Sequence, residues 1–108
     1  MEEKVMKDMR KALIKHFLDV IVMETLRNQS PLGGIDILEF VHNKFDILAS
    51  PGTVYSLLYS IERKGLVKGE LTAGRRMYAL TERGKSYIEE MVRSKEEIVK
   101  FTRALFES

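Results

Sequence analysis

The sequence predicts a mainly α-helical winged helix-turn-helix fold, with a small two-stranded β-wing and dimerisation through its N- and C-terminal helices. Three observations carry this. Two amphipathic stretches, 35–45 and 51–64, are separated by a brief connection, and a short hairpin with Gly74 at its tip follows them. Apolar stripes at both ends of the chain exceed what one core of 108 residues can bury.

Residues 3–28 read as one long helix or two abutting ones, with Val5, Met6, Met9, Leu13, Phe17, Val20, Ile21 and Leu26 at helical spacing. Within it FLDVIVM, 17–23, is apolar on nearly every side and broken only by Asp19. A helix apolar all round is normally buried all round, which predicts a second subunit on one side. The turn-rich run 29–34 ends this segment. Ile35, Leu38, Val41 and Phe45 mark the core face of the next helix, and 46–49 is a short connection.

Ser50 as cap and Pro51 in the first turn open the following helix. Val54, Leu57, Leu58 and Ile61 form its core stripe, and Gly52, Thr53, Tyr55, Ser56, Tyr59 and Arg63 its outer face. A strand at 66–71, the turn Thr72-Ala73-Gly74, then Arg75-Arg76 and a second strand at 77–80 make the hairpin. Thr81 with Glu82 opens a final helix expected to run almost to the end. Along it Gly84, Tyr87, Met91, Ser94, Ile98, Phe101 and Leu105 recur at steps of three and four, the seam of a heptad. Such a seam packs either on its own domain or on a partner. Its reach beyond the hairpin favours the partner, with Phe17, Ile21, Tyr87, Met91, Ile98, Phe101 and Leu105 as the dimerisation residues. The chain then divides into a winged helix-turn-helix part, 1–80, and a dimerising helix, 81–108.

Several chemistries lack their residues. With no cysteine there are no disulfides, thiolate metal sites or cysteine nucleophiles. His16 and His42 are isolated, no HExxH or CxxC spacing occurs, and no GK[ST] follows Gly33-Gly34. Glu89 and Glu90 occupy adjacent helical positions that face different ways. No catalytic residue, metal ligand or cofactor is therefore predicted, and the chain reads as a non-enzyme. The N-terminal MEEKVMKDMRK has no apolar signal core, and no apolar run approaches the ~20 residues that span a bilayer. The expected compartment is the cytoplasm, with no membrane partner.

Charge is local. The whole chain carries +2, but 63–85 holds seven basic residues against Glu70 and Glu82, a balance of +5, so the remainder is −3. A slim, polar, non-acidic helix face suits the major groove of double-stranded DNA. Thr53 and Ser56 supply short hydroxyls, with Ser60 beside them, and Tyr55 and Tyr59 place phenols at phosphate reach. Ser50 and Gly52 lie at the helix N-terminus, where free N–H groups suit a phosphate, and Arg63 and Lys64 close the helix. Arg75 and Arg76 follow the hairpin tip, where they can reach the backbone or minor groove. The same tyrosines would also serve as a roof on the core, and the same face would suit a protein partner.

The residues also carry a family resemblance. Ser50-Pro51-Gly52-Thr53-Val54-Tyr55, with Leu58, Ile61, Glu62 and Gly65-Leu66-Val67, is similar to the recognition-helix signature of the PadR family of transcriptional regulators. The run from Arg75 to Gly84, RRMYALTERG, resembles the family's wing-to-last-helix motif, and Pro31-Leu32-Gly33-Gly34-Ile35-Asp36-Ile37 its entry into the second helix. The likeness covers roughly 12–92 and implies a winged-helix homodimer on a palindromic operator, usually a repressor, of the short branch with a single C-terminal helix. Ser56 stands where relatives usually carry Pro, and Ile35 where they carry Tyr. Some short members hold flat aromatic drugs between interface tryptophans; this chain has no Trp, so that mode does not carry over. Two alternatives stay open: a winged-helix protein-interaction module, and a repressor sensing a small-molecule effector at a dimer interface lined by Phe17, Tyr87, Phe101 and Phe106, for which the sequence offers no polar anchor.

Overall fold

In a computed structural model, residues 3–46 and 49–107 are described; Ile47 and Leu48 of the expected connection lie outside them. Two abutting helices open the chain, α1 (Lys4–His16) and α2 (Leu18–Asn28). They meet at Phe17, where φ −103° and ψ 14° depart from helical geometry. Phe17 N–H still donates to Leu13 O, and Ile21 N–H to Phe17 O, so the ladder crosses the break. A two-residue strand β1 (Leu32–Gly33) leads into α3 (Gly34–Phe45), then α4 (Pro51–Arg63). The hairpin is β2 (Val67–Thr72) and β3 (Arg75–Leu80), and the chain ends in α5 (Glu82–Arg93) and α6 (Lys95–Leu105).

Four expectations are corrected. The sheet has three antiparallel strands, β1-β3-β2, because Leu32 and Gly33 pair with Tyr78 and Met77 on the free edge of β3. Two residues are too few to show a strand period in sequence. Ile35 does not face the core and is 45% exposed. Asp36 Oδ2 accepts the Gly33 N–H at 2.9 Å, and the helix so phased turns Ile37 and Val41 inward. The final helix breaks at Ser94, with φ −91° and ψ 5°, where its N–H is shared between Glu90 O and Met91 O. Gly84 leaves the heptad seam for the core: a Cβ there would lie 1.9 Å from Leu66 O.

The core joins α2 to α5 and the hairpin, with Val22, Met23, Ile37, Leu58, Ile61 and Ile88 enclosed. Each such side chain contributes about 1.5–3 kcal/mol on leaving water. Two caps fix where α4 ends and where α5 begins. Gly65, at φ 78°, closes α4: Leu66 N–H donates to Ile61 O and Gly65 N–H to Glu62 O, a Schellman closure with Ile61 and Leu66 both buried. Thr81 Oγ1 accepts from Gly84 N–H to start α5 and donates to Gly65 O at 2.6 Å. The end of α4 and the start of α5 are thereby tied at one point. Neither α1 nor α6, both fully described, buries a residue. Both project, so the molecule measures 50 × 30 × 21 Å with a radius of gyration of 15.1 Å, against about 13 Å for a compact domain of this length.

Candidate nucleic-acid interface

The outer face of α4 is open. Gly52, Thr53, Tyr55, Ser56, Tyr59 and Arg63 are all exposed, as are Ser50 and Lys64 at its ends. Ser50 Oγ accepts the Thr53 N–H at 3.1 Å and lies 2.8 Å from Thr53 Oγ1, so these two hydroxyls form the cap together. Gly52 has no packing reason to be glycine: a Cβ there would meet only Ser50 Oγ, at 3.9 Å. The smooth first turn leaves clearance outside the molecule.

The two tyrosines differ. Tyr55 lies across Gly34 at the start of α3, where any side chain on Gly34 would enter the phenol ring. Tyr59 is 64% exposed and carries the Arg63 guanidinium over its ring at 5.6 Å. Tyr55 therefore partly roofs a helix junction, whereas Tyr59 stands free of the core.

The wing brings its arginines against the helices from opposite faces of β3. Arg76 Nη2 donates to both Glu62 oxygens, at 3.1 and 2.9 Å, and its guanidinium lies 5.8 Å from the Tyr78 ring centre. Arg75 Nη2 is 3.4 Å from Asp36 Oδ2 on α3. Tyr55, Tyr59, Glu62, Arg63, Arg76 and Tyr78 line an open groove of about 480 Å³ between α4 and the wing. The hydrogen bond from Gly69 N–H, at 3.1 Å, and then the Arg76 partnership hold the Glu62 carboxyl below its ordinary value, against the opposing pull of burial. Glu62 and Asp36 were not among the expected site residues. Glu62 stands 14 positions from Arg76, and only strand register and helix phase together bring them into contact.

The expected dimerisation residues lie at the α1–α2 junction and on α2, α5 and α6. Ile21, Met91 and Ile98 are half-buried, Phe17 and Tyr87 are exposed, and Phe101 and Leu105 reach 67% and 60% exposure. Phe17, Ile21 and Ile98 join Leu13, Ile14 and Val99 in an apolar groove of about 510 Å³ between the first two helices and α6; Tyr87, Phe101 and Phe106 do not line it. His16 and His42 are both exposed. Among the described residues no group of three or more His, Cys, Asp or Glu side chains is placed to hold a metal ion. No helix among them is long and apolar enough to cross a membrane.

Two helices joined by a short connection, a hairpin beside the second, and an exposed polar face between them define a winged helix-turn-helix protein. The model of the transcriptional regulator PadR-like family matches residues 22–90, and the chain belongs to that family. Its members are transcriptional regulators and not enzymes. The fold is similar to that of a PadR family transcriptional regulator from Eggerthella lenta, with a TM-score of 0.80 and 22% identity over 96% of this chain and 94% of that one. A PadR-like transcriptional regulator from Bacillus cereus gives 0.72 and 20% over 90% and 98%. PadR of Bacillus subtilis, solved in complex with operator DNA, gives 0.63 and 22% over 69% of this chain and 46% of that one. At these identities the likeness concerns the fold. A search of curated proteins finds no match.

Proposed function

We propose that the protein is a homodimeric, sequence-specific repressor that binds a palindromic operator in double-stranded DNA in the cytoplasm. In this reading α4 enters the major groove and the wing, 71–76, rests on the backbone or minor groove. The observation that carries it is the uncovered outer face of α4, made of hydroxyls, phenols and Arg63, with its one flanking acid already neutralised by Arg76. The Bacillus subtilis relative was solved on operator DNA, which supports the same use of this fold. Residues 1–80 then read DNA while 81–108 dimerise, α5 also anchoring to the core through Gly84 and Ile88.

Dimerisation is supported by α1 and α6, two helices with nothing buried, and by the largely apolar groove between the first two helices and α6. A second reading, an effector-sensing repressor, draws on the same groove, where Thr102 and Arg103 add polar groups that the sequence alone did not suggest. The test is a mobility shift against the DNA upstream of the protein's own gene at about 150 mM salt, where non-specific phosphate contacts fade. Retained, sequence-selective binding is expected, with Thr53→Ala and Ser56→Ala shifting the preferred sequence. Binding no better than to random duplex at that salt would remove the proposal.

A further inference from the structure

α4 carries a single acid, Glu62, and a carboxylate beside a DNA-reading face repels the phosphates it meets. Its surroundings are built around that charge. Gly69 N–H from β2 donates to Oε2 at 3.1 Å, and Arg76 from β3 donates to Oε2 at 2.9 Å and to Oε1 at 3.1 Å. The Arg76 guanidinium lies over Tyr78, and Gly69 leaves the room this needs: a Cβ there would sit 2.8 Å from Arg76 Nε and 2.9 Å from Tyr78 Cε1. One carboxylate thus ties the reading helix to both strands of the wing. Arg75 is held differently. It meets Asp36 Oδ2 at 3.4 Å, an oxygen already occupied by the Gly33 N–H at 2.9 Å, and its side chain is 61% exposed.

We propose that the two neighbouring arginines divide the work of the wing: Arg76 is a positioning residue, bound to Glu62 as the strut that sets the wing against α4, and Arg75 is the arginine that meets phosphate. The inference rests on the DNA-binding reading above. A neutral Glu62–Arg76 pair releases no net counterion on binding, whereas a cation that swings from a long contact to a phosphate does. Exposed ion pairs add little stability, so the value of this one lies in geometry and in cancelling the charge of Glu62.

The test is equilibrium binding of the full chain to its selected duplex across a salt series. Arg75→Ala should reduce the slope of log affinity against log salt by about 0.9, one phosphate contact. Arg76→Gln should lower affinity about tenfold and also lessen the slope, because Glu62 is then unneutralised at the interface and its repulsion of phosphate is screened by salt. Glu62→Gln/Arg76→Gln, which replaces the ion pair by two amides, should return the slope to the wild-type value and affinity to within about threefold of wild type. The proposal is overturned if Arg75→Ala leaves the slope unchanged, or if the double variant keeps the reduced slope or the weak binding of the single. A wild-type chain that selects no sequence removes the DNA reading and not the strut. The strut is then decided by amide exchange: Gly69 N–H should be protected in the wild type and exchange at least tenfold faster in Glu62→Ala, and equal rates in the two would overturn it.

Discussion

At the scale of single residues, two glycines carry opposite predictions. Gly84 presses its backbone on the Leu66 carbonyl, so Gly84→Ala forces α5 away from the end of α4. Urea unfolding should show a loss of about 3 kcal/mol. Gly52 has open space around it, and Gly52→Ala should leave stability equal or raised by about 0.5–1 kcal/mol, as for an exposed helical glycine. The same change should weaken DNA binding by filling the clearance at the first turn of α4. A third residue-scale prediction concerns pH. The Glu62 carboxyl is held below its ordinary value of 4.5, first by the Gly69 N–H and then by Arg76, so the folded state favours its charged form. The stability this contributes is complete above the unfolded-state value and disappears as pH falls through the folded-state value. Glu62→Gln should therefore melt below wild type at about pH 7, and the two melting curves should draw together as pH falls through the folded-state value.

At the scale of elements, the best-defined pieces were legible because their ends are chemically marked. Ser50 and Pro51 start α4, Gly65 stops it, and the apolar spacing of Val54, Leu58 and Ile61 sets its phase, so its outer face was readable in advance. The wing was legible through Gly74 and the alternation that follows. Its turn is tighter than expected: only Ala73 and Gly74 link the strands, and both have positive φ, 52° and 77°. Two positive φ values in a two-residue loop make a type I′ turn, for which Asn-Gly is the preferred pair. Ala73 is strained there, and Ala73→Asn should stabilise the protein by about 1 kcal/mol in thermal or urea unfolding. Other features left no local signal. β1 is two residues long, the break at Ser94 turns on one shared hydrogen bond, and α3 has apolar residues on two faces, so spacing alone chose Ile35 where Asp36 phases the helix onto Ile37. The ion pairs of Arg75 and Arg76 were equally hidden, since each joins residues far apart in sequence and needs the register of β3 beside its helix.

At the scale of the whole molecule, two protruding helices without a buried residue are the main unmet demand of the fold. Phe101→Asp with Leu105→Asp should convert the proposed dimer to monomer in sedimentation analysis. The melting of the winged core should persist, because neither side chain belongs to it. That reading also explains why the apolar stripes at the two ends were visible in sequence while their partner was not: an interface between copies leaves its apolar half in each chain and its geometry in neither. The central claim is that α4 and the wing read DNA as a symmetric pair. Selection of bound duplexes from a random pool by the wild-type protein tests it most directly. The expected result is enrichment of a palindromic site with half-sites about one helical turn apart, or a multiple of it. A pool that emerges with no enriched sequence would contradict it.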